Sequence, residues 1–143
     1  MNKKIAVIKY GGSSVSNFNK IKQIAAYLKT RTQEDEKLVV VLSAMGDTTD
    51  TLLNNISQIN NNPADEHIAM LLSTGEQQAV SYLAMALADV GVKAKPMNGS
   101  QAKVRTTDFT MKSRIASIDG EYLLKQLEDN DVLVVTGFQG IND

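Results

Sequence analysis

The stretch Ile5-Ala-Val-Ile-Lys-Tyr-Gly-Gly-Ser-Ser14 decides how the rest of this 143-residue chain is interpreted. Its short aliphatic run lacks strict alternation, which predicts a strand buried on both faces of a parallel sheet. Gly11 and Gly12 have no Cβ, so the backbone can turn sharply there and a ligand can approach its amide groups closely. Ser13 and Ser14 then lead into an amphipathic segment, which places the two glycines just before a helix N-terminus.

The same stretch has the chemistry of an anion site. Exposed amides and the positive end of a helix dipole attract phosphate and carboxylate groups. Lys9 adds a full positive charge at the carboxyl end of the strand. The stretch matches neither the G-x-x-x-x-G-K-[ST] loop nor the G-x-G-x-x-G fingerprint. Two interpretations therefore stay open at this point: a phosphate cradle, or a tight Gly-Gly turn beside a solvated lysine.

Composition favours one ordinary globular domain over residues 1–143, with 43% apolar and 22% charged residues. The net charge of −1 without a basic block argues against nucleic acid and anionic membranes as partners. No apolar run approaches the length of a membrane span, and no signal-peptide core stands at the N-terminus. Cysteine is absent, which excludes disulfides and thiolate chemistry. We therefore expect a cytoplasmic protein.

Apolar periodicity predicts strands that alternate with helices along the chain. After the first strand, strands are predicted at 38–42, 92–97, 114–118 and 131–136, and helices carry inward-facing residues at 18–28, 52–59, 68–72, 80–90 and 122–127. Ser16 or Asn17 is expected to cap the first helix, Asp65 the third and Asp119 the last. The segment 73–76 is expected to interrupt the helical stretch around it.

This alternation predicts the α/β class, with a parallel sheet covered by helices on both faces. Ligands of such sheets collect at the carboxyl ends of the strands. Three of the predicted strand ends carry small or hydroxyl residues, at 11–13, 43–49 and 137–140. We expect these three segments to converge on one rim of the sheet.

The segment Ser43-Ala-Met-Gly-Asp-Thr-Thr49 offers hydroxyls and backbone amides at a predicted helix N-terminus, which suits a carboxylate or a phosphate. One of its residues Asp47, Thr48 and Thr49 is also expected to cap that helix, and the two roles are compatible.

Two further segments have a structural and a functional interpretation. Ser73-Thr-Gly-Glu76 matches the S-x-x-E pattern of a capping box. In that interpretation Glu76 would accept a hydrogen bond from the amide of Ser73 and do no chemistry. Alternatively, the Glu76 carboxylate pairs with the ammonium group of a substrate. Gly137-Phe-Gln-Gly140 is either a plain turn or a rim segment whose Phe138 packs on the substrate.

Four segments together carry a family resemblance. In order and spacing, Lys9-Tyr-Gly-Gly-Ser-Ser-Val15, Leu42-Ser-Ala-Met-Gly-Asp-Thr-Thr-Asp50, Leu72-Ser-Thr-Gly-Glu76 and Gly137-Phe-Gln-Gly140 resemble successive signatures of aspartate kinases. The resemblance implies the amino-acid kinase fold, a three-layer αβα sandwich with a mostly parallel sheet. It also implies ATP-dependent phosphorylation of the side-chain carboxylate of aspartate, on the route to lysine, threonine and methionine.

The resemblance implies a role for each matching residue. Those expected at the phosphates of ATP are Lys9, Tyr10, Gly11, Gly12 and Ser13, with Lys9 catalytic; those expected at aspartate are Ser43, Asp47, Thr48, Thr49, Glu76 and Phe138. Magnesium is expected as part of the MgATP substrate, and the sequence identifies no metal ligand. Aspartate and ATP are the implied partners, and a homo-oligomer is expected.

The resemblance covers the N-terminal, substrate-side part of the kinase domain. Family members continue with a Gly-Arg-Gly-Gly-Ser-Asp segment, an adenine-binding half and usually regulatory ACT domains, so we expect the 143-residue chain alone to be inactive. The alternative is a non-catalytic fragment or interaction module of the same fold. Another amino-acid kinase, acting on glutamate, acetylglutamate or carbamate, is a further alternative that the Ser43–Asp50 run disfavours.

Overall fold

The computed structural model describes residues 3–107 and 113–137. The strands are β1 (Lys4–Tyr10), β2 (Glu36–Leu42), β3 (Ala94–Met97), β4 (Val104–Thr106), β5 (Ile115–Ile118) and β6 (Val132–Thr136). The helices are α1 (Phe18–Gln33), α2 (Thr48–Ser57), α3 (Asp65–Asp89) and α4 (Gly120–Asp129). Four parallel strands form a sheet in the order β1-β2-β6-β3, and β4 pairs with β5 in an antiparallel sheet.

The aliphatic strands β2 and β6 form the centre of the parallel sheet. All five residues of β6 are buried, and the side chains of β2 alternate between buried and half-buried. In their parallel pairing Leu38 lies opposite Val132 and Val40 opposite Val134, so aliphatic side chains of the two strands pack side by side. Both strands contain continuous apolar runs, at 38–42 and 132–135, as expected for the interior of a parallel sheet.

Helices cover both faces of this sheet, which confirms the predicted α/β layers. On one face, Leu28 of α1 and Leu83 of α3 pack in the same cluster as Val40 and Val134 of the sheet. On the other face, a second cluster joins Leu127 of α4 to residues of β3 and β6. No helix within the described ranges has both the length and the apolar character to cross a bilayer.

The first strand is less buried than its sequence predicts. Within the described residues β1 pairs with β2 alone, and Ile5 and Val7 are 44% and 72% exposed. Its opposite face, with Ala6 and Ile8, packs against the α1–α3 cluster. The expectation of a strand buried on both faces is therefore wrong, because α4 lies over β6 and β3 and does not reach β1.

The predicted interruption at 73–76 is also wrong, because α3 runs through it without a break. The hydroxyls of Ser73 and Thr74 each donate to the carbonyl three residues earlier, at 2.7 Å, so the helix itself satisfies them. The prediction that Asp65 caps the third helix is wrong as well, because Ala64 is the N-cap of α3. Asp65 is the first residue of the helix and complements its dipole from inside the first turn.

Other local predictions agree with the structure. The Asn17 side chain accepts a hydrogen bond from the Lys20 amide at 2.9 Å, and that of Asp119 accepts one from the Tyr122 amide at 2.9 Å. Both residues therefore cap their helices as predicted. The strands predicted at 92–97 and 114–118 are present but begin later, at Ala94 and Ile115.

Candidate functional site

The carboxyl ends of β1, β2 and β6 lie side by side, because the three strands are parallel neighbours. The amide of Ser43, just after β2, donates to the Tyr10 carbonyl at 3.2 Å. The amide of Gly137, just after β6, donates to the Leu42 carbonyl at 2.8 Å. The three predicted segments therefore do begin at one rim. Phe138 and the rest of 137–140 lie outside the described residues.

A tight turn follows β1 at residues 11–14, which we call the glycine turn. The Ser14 amide closes it by donating to the Gly11 carbonyl at 3.0 Å. The amides of its two central residues, Gly12 and Ser13, donate to no group among the residues that the structure describes. Two adjacent open amides at the end of a strand are suited to an anion.

The glycine turn is fixed to the segment that follows β2. The Gly46 amide donates to the Gly12 carbonyl at 3.0 Å. A Cβ on Gly12 would lie 3.0 Å from the Ala44 carbonyl oxygen, so a larger residue would push the two segments apart. Gly46 has a φ of +51°, a left-handed conformation that favours glycine. Gly12 therefore allows close packing of two backbone segments as well as access to its amide.

Lys9 and Tyr10 extend to opposite faces of β1, as alternate residues of a strand do. Lys9 is exposed, on the face away from α1 and α3. Tyr10 is half-buried against the α1–α3 cluster, and burial, with a contribution from the nearby Tyr27, raises the pKa of its hydroxyl. The side chain of Tyr10 thus packs in the core, and its carbonyl lies at the rim.

The segment 43–49 leads from β2 into α2. Ser43, Thr48 and Thr49 are half-buried, and Asp47 is exposed. Asp47 occupies the N-cap position, but its side chain makes no capping hydrogen bond. The predicted cap is therefore in position without its usual bond. The Thr48 amide instead donates to the Met45 carbonyl at 2.9 Å, which tightens the entry to the helix.

Glu76 lies in the middle of α3 and is 7% exposed. The residue before it, Gly75, packs directly against the start of α2: a Cβ there would lie 3.1 Å from the Ala44 Cβ and 3.2 Å from the Thr48 Cγ2. Glu76 therefore follows directly the residue through which α3 contacts the 43–49 segment. Its place in mid-helix excludes the capping box, so the prediction that Glu76 caps a helix is wrong.

Two residues at the rim were missed by the sequence interpretation. The ammonium of Lys20, in the first turn of α1, donates to the Ser13 carbonyl at 2.9 Å. Gly75 provides the close contact between α3 and the 43–49 segment. For Lys20, the sequence does contain a signal, namely a lysine that follows shortly after the Gly-Gly turn. Nothing local in the sequence marks the second.

Two kinds of binding group therefore lie at the rim or next to it in the chain. The open amides of the glycine turn, with Lys9 on the same strand end, suit the oxygens of a phosphate. The hydroxyls of Ser43 and Thr49 and the carboxylate of Glu76 suit a ligand that carries both a carboxylate and an ammonium group. Within the described ranges, no three His, Asp or Glu side chains cluster as metal ligands would.

A parallel α/β sheet with a turn of open amides at its carboxyl edge is typical of a broad class of phosphate-handling domains. Within that class, the chain belongs to the amino acid kinase family, whose sequence pattern matches residues 4–143.

Aspartate kinases are among the proteins similar to this chain. The aspartokinase of Geobacillus stearothermophilus is 40% identical over 139 residues, which are 97% of this chain and 34% of that protein. The aspartate kinase of Pseudomonas putida is 37% identical over 139 residues, 97% of this chain and 34% of that protein. The chain therefore spans about a third of the length of the curated relatives that it matches.

Solved structures agree with these sequence relatives. The crystal structure of aspartate kinase from Synechocystis is 38% identical and has a TM-score of 0.79, over 96% of this chain and 22% of that one. Escherichia coli aspartokinase III, in complex with aspartate and ADP, has a TM-score of 0.78 at 18% identity, over 99% of this chain and 42% of that one. The second likeness is one of fold.

Proposed function

We propose that this chain is the substrate-side part of an aspartate kinase, which transfers the γ-phosphoryl group of ATP to the side-chain carboxylate of L-aspartate. The observation that carries the proposal is the meeting, at one rim, of the glycine turn with the 43–49 segment, which Gly75, the residue before Glu76, contacts. The 40% identity with the Geobacillus stearothermophilus aspartokinase supports the choice of aspartate.

On the phosphate side, charge neutralisation is the main task. Phosphoryl transfer needs little covalent help, and positioning with electrostatic stabilisation dominates its catalysis. Lys9 and the amides of Gly12 and Ser13 neutralise charge on the transferring oxygens, together with the magnesium of the MgATP substrate. Gly11 leaves the approach open, since among the described residues no atom beyond its chain neighbours lies within 4 Å of where its Cβ would stand. The Tyr10 carbonyl fixes the rim, because it accepts the hydrogen bond from the Ser43 amide.

On the acceptor side, the side-chain carboxylate of aspartate is already ionised near neutral pH, so no general base is required. One of its oxygens attacks the γ-phosphorus as the bond to the β-phosphate breaks, and ADP leaves an acyl phosphate behind. Glu76 pairs with the ammonium group of aspartate. Ser43 and Thr49 donate hydroxyl hydrogen bonds to its carboxylates.

The remaining parts of the proposal rest on the family resemblance and not on contacts seen in the structure. Asp47 and Thr48 border the aspartate site at the start of α2, and Phe138 packs on the substrate. The protein works in the cytoplasm, as a homo-oligomer, in the biosynthesis of lysine, threonine and methionine. None of these functions calls for nucleic acid or a membrane.

The test uses a chimera in which residues 1–143 are followed by the part of the Geobacillus stearothermophilus aspartokinase beyond the matched region. We expect aspartate-dependent ADP release from the chimera in a coupled assay, and none from residues 1–143 alone. Lys9→Met should lower kcat roughly a hundredfold, about 3 kcal/mol, and raise the aspartate KM far less.

Lys22→Met is the matched control, because Lys22 is an exposed lysine of α1 that makes no hydrogen bond or ion pair with the described residues. It should behave as the parent chimera does. Failure of the chimera to release ADP with aspartate would contradict the proposed activity. An unchanged kcat in Lys9→Met would remove Lys9 from the mechanism.

A further inference from the structure

We propose that Lys20 is a positioning residue of the phosphate site: its ammonium group holds the glycine turn in the orientation in which the Gly12 and Ser13 amides stay open. The inference rests on the proposed function of that turn. It concerns a residue that lies outside the motifs on which the family resemblance depends.

Two hydrogen bonds fix the same peptide group. The Lys20 Nζ donates to the Ser13 carbonyl oxygen at 2.9 Å, and the Ser14 amide donates to the Gly11 carbonyl at 3.0 Å. The Ser13 carbonyl and the Ser14 amide belong to one planar peptide unit. Because that unit is held from both sides, it cannot flip without breaking both bonds. The two peptide units before it carry the open amides.

Lys20 starts from a rigid point. Its backbone amide donates to the Asn17 side chain at 2.9 Å, which fixes the first turn of α1. The next residue, Ile21, is buried in the core together with Ile24. Side chains of a helix lean toward its N-terminus, so the ammonium reaches back over the glycine turn. A side chain anchored on a helix in this way positions a loop more precisely than a side chain from another loop does.

The charge of Lys20 adds to that of Lys9. Lys9 stands on the open face of β1, whereas Lys20 lies on the α1 side of the glycine turn. Neither ammonium forms an ion pair with a carboxylate of the described residues. Both positive charges are thus available to an anion at the turn.

A purely structural role for Lys20 predicts something different. The hydrogen bond to Ser13 is exposed. If it does not position the glycine turn, its removal should change neither ATP binding nor turnover, since exposed contacts of this kind contribute little. A positioning role predicts a selective loss on the ATP side, with aspartate binding and stability unchanged. The two roles are therefore separable by kinetics.

The kinetic test compares Lys20→Met, Lys20→Arg and the control Lys22→Met in the chimera. We expect Lys20→Met to raise the KM for MgATP roughly fivefold to tenfold, as for the loss of one ordinary, exposed hydrogen bond. The aspartate KM and the melting temperature should stay at parent values. Lys20→Arg should keep most of the parent behaviour, since a guanidinium also donates to a carbonyl.

The outcomes separate this inference from the proposed function. Equal kinetics in Lys20→Met and Lys22→Met would overturn the role of Lys20, and a large effect of Lys9→Met in the same series would leave the proposed function intact. An equal rise in the KM for aspartate and for MgATP would also overturn it, because it would indicate a general disturbance of α1.

A second measurement does not depend on turnover. Two-dimensional NMR of the 143-residue chain follows the amide resonances of Gly12 and Ser13 as inorganic tripolyphosphate is added. We expect both resonances to shift. The shifts should be several times smaller in Lys20→Met at the same concentration and unchanged in Lys22→Met. Equal shifts in Lys20→Met and the parent would overturn the inference. No shift in the parent would overturn the phosphate role of the turn and this inference with it.

Discussion

At the scale of single residues, the carboxylate of Glu36 illustrates how a charge is accommodated at the start of a buried strand. It is 6% exposed, at a position where an unpaired carboxylate would be costly. The Arg31 Nε donates to one of its oxygens, and the Lys4 Nζ lies 2.9 Å from the other. The Arg31 guanidinium, and after it the Lys4 ammonium, holds the pKa of Glu36 below its usual value.

This lowered pKa makes stability depend on pH in a defined direction. The ionised Glu36 stabilises the folded state above the pKa of the unfolded chain, about 4.5, and that contribution is lost as the pH falls through the folded-state pKa. We expect Glu36→Gln to have a lower free energy of unfolding than the parent at pH 7, with the difference closing below about pH 4.5. Urea unfolding from pH 7 to pH 3 measures it.

The exposed Glu34, two residues earlier, provides the control. Glu34→Gln should follow the parent across the whole pH range. A difference between Glu36→Gln and the parent that is the same at pH 7 and pH 3 would show that packing, and not ionisation, sets the contribution of Glu36.

A second prediction at this scale concerns Glu76, whose carboxylate is proposed to pair with the ammonium group of aspartate. In the chimera, Glu76→Gln should raise the aspartate KM roughly tenfold or more, because a neutral amide replaces a charged partner in a buried place. The KM for MgATP and the melting temperature should stay near parent values, since Gln has nearly the same shape. An aspartate KM at the parent value would assign Glu76 to the structure of α3 alone.

At the scale of elements, the sequence predicts what local pattern determines. The aliphatic runs at 38–42 and 131–136 are found as strands within two residues at each end, and Asn17 and Asp119 are found as caps. Alternation of strands and helices also predicts that the segments after β1, β2 and β6 share one rim. Each of these features depends on neighbours in sequence.

The features that escape prediction depend on distant neighbours. The exposure of β1 is decided by where α4 lies, and the pairing of β4 with β5 joins residues that no local pattern links. The S-x-x-E pattern at 73–76 is the same in a capping box and in the middle of a helix. Gly75 and Lys20 act through contacts with segments elsewhere in the chain, and they are therefore seen only in the folded structure.

The contact between α3 and the start of α2 gives a prediction for Gly75→Ala. Alanine is favoured over glycine inside a helix by about 1 kcal/mol. Its Cβ would lie 3.1 Å from the Ala44 Cβ, which is fixed to the backbone and cannot rotate away. Because such overpacking typically costs about 1–3 kcal/mol, we expect a net loss of stability of about 1 kcal/mol, measured by urea unfolding.

Gly120→Ala is the matched control for this substitution. Gly120 is the first residue of α4, and in the part of the chain that the structure describes no atom outside its own local backbone lies within 4 Å of where its Cβ would stand. The same change should therefore be neutral or slightly stabilising there. In the chimera, Gly75→Ala should also raise the aspartate KM, because it moves α3 relative to the 43–49 segment. A gain of stability in Gly75→Ala equal to that in Gly120→Ala would show that the two elements separate at no cost.

At the scale of the whole molecule, the two faces of the parallel sheet differ in how far helices cover them. The α1–α3 cluster reaches all the way to β1, whereas the α4 cluster reaches β3, β6 and the edge of β2. On the latter face, Ile5 and Val7 remain exposed, and Val7 is paired in register with Val39. Within the described residues, β1 also has one edge without a paired strand. Exposed apolar area beside an open strand edge favours association.

Val7→Lys tests this at the most exposed apolar position of β1. We expect the 143-residue chain to self-associate with increasing concentration, and Val7→Lys to shift it toward the monomer, because a charged lysine on an edge strand opposes pairing with another sheet. Stability should change by less than about 0.5 kcal/mol, since Val7 is already 72% exposed. Size-exclusion chromatography with light scattering over a hundredfold range of concentration measures the monomer and the associated form.

Met70→Lys is the control, because Met70 is 78% exposed but lies on α3. An equal shift in both variants would mean that added positive charge, and not the open face of β1, governs association.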